Sequence, residues 1–206
     1  MPGINLNFIN QSNDANNSQI LIFQKNVATS VDELAVAWKV ITNCGPGWRH
    51  PFTFSDEFYA GASDSWGNYS PQMRAMPGQV FSVANTTSGD ALQLTSESPD
   101  KNEIAILNSL QTGAINANIF MDGSLLATKT GVSPGQKAVF QFKPTIWIGA
   151  VSQVEEGQVI NSAIVESVNT EISLLGLKSA DIVMTGGGPG PSSTPFVFTL
   201  QNVVYA

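Results

Sequence analysis

The chain has 206 residues, a net charge of −7 and only 12% charged residues, against about 25% in an ordinary domain. Its nine Lys and Arg are scattered singly from Lys25 to Lys178, which argues against the clustered basic footprint of a nucleic-acid binder or a polybasic membrane anchor. A hydrophobic content of 42% is enough to close a core, and the expectation is one domain spanning residues 1–206.

The N-terminal MPGINLNF has neither the basic start nor the long apolar core of a secretory signal. No segment approaches the roughly 20 apolar residues of a membrane helix. The expected location is therefore the cytoplasm, or outside the cell by a route that needs no signal peptide. Ile4, Leu6 and Phe8 alternate with Asn5 and Asn7, which predicts a strand over Ile4–Ile9. Gln19–Lys25 (QILIFQK) is apolar on both faces at its start, and reads as a partner strand to the first. Ser30–Asn43 carries two signals. Ser30 and Glu33 form a capping box, yet Leu34, Val36, Trp38 and Val40 alternate with Ala35, Ala37 and Lys39. The β-branched and aromatic content favours strand, while residues 31–42 stay open to a helix.

Cys44–Ser70 reads as irregular and aromatic-rich. Gln79–Asn85, Ala91–Thr95 and Glu103–Leu107 are predicted strands separated by polar turn clusters. Ile115–Thr130 is the clearest element, two β runs around Asp122–Gly123, a pair suited to a type I′ turn. Ser133–Pro134–Gly135 turns the chain into a strand over Lys137–Phe142, followed by another over Thr145–Val151. Residues 158–177 fit either one helix or two strands. Ile182–Met184 and Phe196–Tyr205 are the last predicted strands. Frequent turns between short strands predict an all-β fold, a two-layer antiparallel β-sandwich or jelly roll with room for one helix.

Strings that suggest catalysis sit in the wrong context. Gly131–Gly135 (GVSPG) matches the nucleophile-elbow pattern with Ser133 as nucleophile. That elbow needs a strand-to-helix turn and a downstream histidine, and the sole histidine, His50, lies upstream. Ser98–Lys101 (SPDK) and Lys129–Gly131 (KTG) resemble penicillin-binding motifs but lack the Ser-Asp-Asn element. Cys44 and His50 are too few ligands for a zinc site. No catalytic residue, metal or cofactor is expected, and Cys44 reads as a small buried hydrophobe.

Two segments suggest contact. The first is the aromatic stretch Trp48–Tyr69, where Trp48, His50, Tyr59, Asp64, Trp66 and Tyr69 are candidate ligand-binding residues. Exposed rings stack on sugars or enter lipid interfaces, and nearby acids accept hydrogen bonds from hydroxyls. Phe52, Phe54 and Phe58 are expected to face the core, and Trp66 and Tyr69 in the polar ASDSWGNYS to be exposed. The second is a Gly/Pro/Ser-rich tether, residues 186–195, ahead of a terminal strand over residues 196–206. There Phe196, Phe198, Leu200, Val203 and Tyr205 are candidate assembly residues, since a tethered strand is able to pair with a neighbouring subunit. Repeated head to tail, such pairing makes a filament. The chain is thus expected to be a non-enzymatic, self-assembling structural protein (a fibre, shell or inclusion subunit) whose main partner is itself. The alternative is a lectin-like or membrane-interacting module using residues 48–69.

Overall fold

A computed structural model describes residues 3–28 and 35–206. The chain is mainly β, as the patterning predicts, and its contacts gather into two compact units. The first combines residues 1–24, 37–56 and 144–206; the second combines residues 25–36 and 57–143.

In the first unit, β1 (Ile4–Asn10) and β2 (Gln19–Phe23) form where expected. They are not partners, however. β1 lies between β15 (Leu177–Gly187) and β4 (Arg49–Phe54), whereas β2 lies between β13 (Thr145–Val151) and β3 (Lys39–Ile41). Leu21 and Phe23 are as deeply buried as Ile20 and Ile22, so β2 is apolar on both faces and is satisfied only inside a sheet. β14 (Thr170–Ser173) and β16 (Thr194–Tyr205) complete two four-stranded sheets, ordered β16-β15-β1-β4 and β14-β13-β2-β3. β1 and β15 run parallel, so the first of these sheets is mixed, whereas the second is antiparallel throughout. Of the ambiguous stretch 31–42, residues 31–34 fall outside the described region. Residues 35–42 contain β3 and the fully buried Trp38, whose ring meets Phe52 and Phe54 edge-on at 6.3 and 5.9 Å.

Cys44–Ser70 is not irregular. It contains β4 and, in the second unit, β5 (Phe58–Ser63). Pro51 and the small residues of FYAGAS obscure both strands in sequence, because they weaken strand propensity without preventing pairing. The segment 158–177 divides between the two options: a short helix α1 (Ser162–Ser167), capped by the Asn161 side chain, and then β14.

The second unit also holds two four-stranded sheets. One is ordered β11 (Ser124–Val132), β10 (Ile115–Met121), β5, β6 (Met73–Ala75). The other is ordered β12 (Lys137–Phe140), β9 (Ile104–Asn108), β7 (Gln79–Thr86), β8 (Gly89–Glu97). Asp122 and Gly123 take φ of 53° and 80° between β10 and β11, the paired positive values a type I′ turn requires. Phe81, Ile104, Ile106, Ile119, Leu126 and Phe140 fill the core of this unit.

The stretch read as a tether is ladder only at its two ends. β15 continues through Gly187, a short 3-10 turn covers Gly190–Ser192, and β16 returns antiparallel to β15 in the same sheet. Positive φ at Gly186, Gly187 and Gly188 makes this corner possible.

Candidate functional site

The site is built where β5 ends. After Ser63 the chain doubles back: Ser70 N donates to Ala62 O at 2.8 Å, and Ser63 and Tyr69 form an isolated antiparallel bridge. Gly67, at φ 88°, supplies the reversal. Inside this loop the Asp64 carboxylate acts as the organiser. Its Oδ1 accepts from the backbone N–H of Trp66 (2.8 Å) and of Asn68 (2.9 Å), and its Oδ2 accepts from the Asn68 side-chain amide at 2.7 Å. These bonds, the Asn68 side chain first, hold the Asp64 carboxyl below its ordinary range. The loop is therefore shaped before any ligand arrives, and it carries Trp66 and Tyr69 at 88% and 71% exposure. Aromatic groups fixed in this way lose little freedom on binding.

Beside the loop lies a cleft of ≈ 390 Å³, near the small end of the range for small-molecule sites, about 300–1,000 Å³. Its floor is apolar, with Val83, Leu92 and Ile115 all buried. Its walls are polar: Ser63, Asp64, Asn68 and Ser70 from the loop, Asp90 from β8, and Thr112 from the segment before β10. No lysine or arginine lines it. Ser63 is held from behind, since the Asn118 amide donates to its Oγ at 3.5 Å and Thr128 Oγ1 donates to Asn118 Oδ1 at 2.8 Å.

Of the six candidate ligand-binding residues, the cleft gathers Asp64, Trp66 and Tyr69. Trp48 (61% exposed) and the half-buried His50 belong to the first unit, and the Nε2 of His50 has no hydrogen-bond partner. Tyr59 is half-buried in β5, opposite Phe120 and Arg74, and does not line the cleft. Phe54 and Phe58 are core residues, as expected. Ser63, Asn68, Ser70, Asp90 and Thr112 also line the cleft and are not among the residues expected from the sequence. A local sign exists only for Asn68, four residues after an aspartate and next to a glycine, a spacing suited to side-chain capping of a turn. Asp90 and Thr112 arrive through sheet pairing, which leaves no local trace.

The other candidate segment lies in the first unit. Phe198 of β16 is buried against Phe8, with ring centroids 6.5 Å apart. Phe196, Leu200 and Val203 are half-buried, and Tyr205 is 69% exposed. Of the hydrolase-like strings, Ser133–Gly135 and Ser98–Lys101 lie in turns, and Lys129–Gly131 lies within β11. Ser133 is exposed between β11 and β12 with no helix after it, and Lys101 pairs with Glu97. Cys44 is buried, which pushes its thiol pKa up. Among the described residues no three His, Cys, Asp or Glu side chains gather as a metal site.

These features define an all-β, sandwich-like protein with an acidic, aromatic-rimmed cleft in one unit. The sequence profile of the RhiA family matches residues 2–175, and the chain belongs to that family. The match ends before β15 and β16. No curated protein and no solved structure is significantly similar to the chain.

Proposed function

We propose that the second unit is a non-catalytic recognition module for a neutral saccharide, bound in the cleft beside the 64–70 loop. The observation that carries this reading is the loop itself: Asp64 uses its hydrogen bonds to hold an exposed Trp66 and Tyr69 at the mouth of a polar cleft. Sugar rings have apolar C–H faces that fit aromatic rings, and hydroxyl edges that fit carboxylates and amides. Asp64, Asn68, Asp90 and Thr112 supply those polar groups. With two aspartates and no cation in the lining, anionic sugars are repelled. The same charge disfavours anionic lipid surfaces. Asp64 is a poor general acid, because its hydrogen bonds keep it ionised.

Screening the full chain against arrayed neutral and acidic glycans tests the reading. The expected result is retention of neutral glycans that free sugar displaces. Absence of retention, or retention of acidic glycans alone, overturns it. Self-assembly, the first expectation from the sequence, would rest on β16, which lies in the other unit.

A further inference from the structure

Every open sheet presents two edges, and an unprotected edge is a template for another strand. The edges differ sharply in this chain. β3 and β6 have three residues each, and β12 and β14 have four. β4 carries Arg49 and Pro51, and a proline cannot donate to a new ladder. β8 carries Asp90 and Glu97, and β11 carries Lys129. β16 is different. It has twelve residues with no Asp, Glu, Lys or Arg among them, and among the described residues β15 is its only strand partner.

Two devices guard its ends. Pro195 stands near the start. Near the other end the ladder shifts register around Asn202, whose φ is 49° and whose side chain donates to Asp181 Oδ2 at 2.7 Å. Between them Phe196–Gln201 (FVFTLQ) is a six-residue run rich in β-formers and free of charge and proline, in continuous register with β15 from Val197 to Gln201. Segments of that length and composition favour strand pairing.

We propose that the Phe196–Gln201 edge pairs antiparallel with the same segment of a second copy, forming a two-fold dimer. An antiparallel strand is self-complementary about a two-fold axis, each N–H meeting a C=O of the partner. In a chain of net charge −7, this uncharged run lets two copies approach without opposing like charges along the ladder. The pleat restricts the register, because opposed residues must share a face. Pairing about Thr199 sets Val197 against Gln201 on the outer face and Phe198 against Leu200 on the inner one. Exposed Val197 then loses water-accessible surface.

Assembly stops at two. The opposite edge of the same sheet is β4, and Pro51 with Arg49 prevents it from receiving β16 of another copy. A head-to-tail filament needs that second junction. The proposal does not depend on saccharide binding.

Sedimentation velocity of the full chain, from about 1 to 500 μM, tests it; a contact this small is weak and concentration-dependent. The expected result is a monomer–dimer transition. Thr199→Lys, at an exposed position that would face its own copy, should weaken dimerisation at least about tenfold with an unchanged melting temperature. Thr199→Val should retain the dimer, as should Trp66→Ala. A chain that stays monomeric throughout overturns the proposal. So does a dimer indifferent to Thr199→Lys and Val197→Lys, and so do open polymers in place of dimers. Deleting β16 is a poor test, because it strips the cover from β15, where Ile182, Val183 and Met184 are buried.

Discussion

Replacing Trp66 by alanine separates binding from folding, because the structure assigns the two very different magnitudes. Trp66 is 88% exposed, so about an eighth of a surface of up to ~250 Å² is covered by the protein. At about 25 cal/mol per Å², that ~30 Å² contributes less than 1 kcal/mol to stability. For a chain of this size the melting temperature should fall by no more than about 2–4 °C. Binding has a larger stake. A sugar stacked on one face of the indole covers roughly a third of the ring, ~80 Å², worth about 2 kcal/mol on the same coefficient. That corresponds to an approximately thirtyfold loss of affinity. Isothermal titration of the retained glycan into the parent, Trp66→Ala and Tyr69→Ala measures the loss, and scanning calorimetry of the same samples measures stability. An affinity unchanged in both variants, with folding intact, would refute the stacking argument. A drop in melting temperature beyond about 5 °C would refute the premise that Trp66 stands free of the core.

The geometry sets three further outcomes. Gly186→Ala drives a Cβ into the Pro195 carbonyl at φ 90°; the corner between β15 and β16 should lose about 3 kcal/mol or more, seen as a lower denaturation midpoint. The Asp181 carboxylate accepts from the side chains of Asn202 and Asn7, which hold its pKa below the ordinary 3.8. A depressed folded value means its stabilisation is present above about pH 4 and is lost as pH falls through the folded value. Acid titration of stability should therefore show a component that Asp181→Asn removes. Finally, burial raises the Cys44 thiol pKa, so a thiol-disulfide reagent at pH 8 should label it slowly in the native chain and rapidly in denaturant.

How much of the structure is legible in the sequence depends on the range of each interaction. Alternation and turn chemistry act over a few residues, and they identify β1, β2, the β10–β11 hairpin and the all-β class. Pairing is a long-range matter. β2 looks like the partner of β1 because the two are neighbours in sequence, yet its doubly apolar character is satisfied by β13, over a hundred residues later. The 186–195 run looks like a tether because three glycines hold no side chains to pack. In the structure, their positive φ angles let β15 close directly onto β16. The site divides in the same way. Asp64, Trp66 and Tyr69 are visible because they lie in one polar loop; Asp90 and Thr112 join them only after β7, β8 and β10 have paired.

The division of the chain has a consequence for isolating the cleft. Among the described residues, all eight strands of the second unit, β5 to β12, lie in the continuous segment 57–143, and so does every residue lining the cleft. Outside it lie residues 25–36, whose described parts, 25–28 and 35–36, form a strap. In that strap, Asn26 donates to Val139 O and accepts from Gln141 N, Val27 N donates to Gln141 O, and Val36 is fully buried. Three hydrogen bonds at about 1 kcal/mol each, with about 2 kcal/mol for the valine, make the strap worth roughly 5 kcal/mol. That equals the low end of the stability of a typical domain, about 5–15 kcal/mol. Segment 57–143 alone should therefore be marginal. The same segment carrying residues 25–36 on a flexible linker should unfold cooperatively and keep the glycan affinity of the full chain. Amide dispersion in heteronuclear spectra reports the first property and titration the second. An unfolded strapped fragment would show that the second unit draws its stability from beyond its own residues.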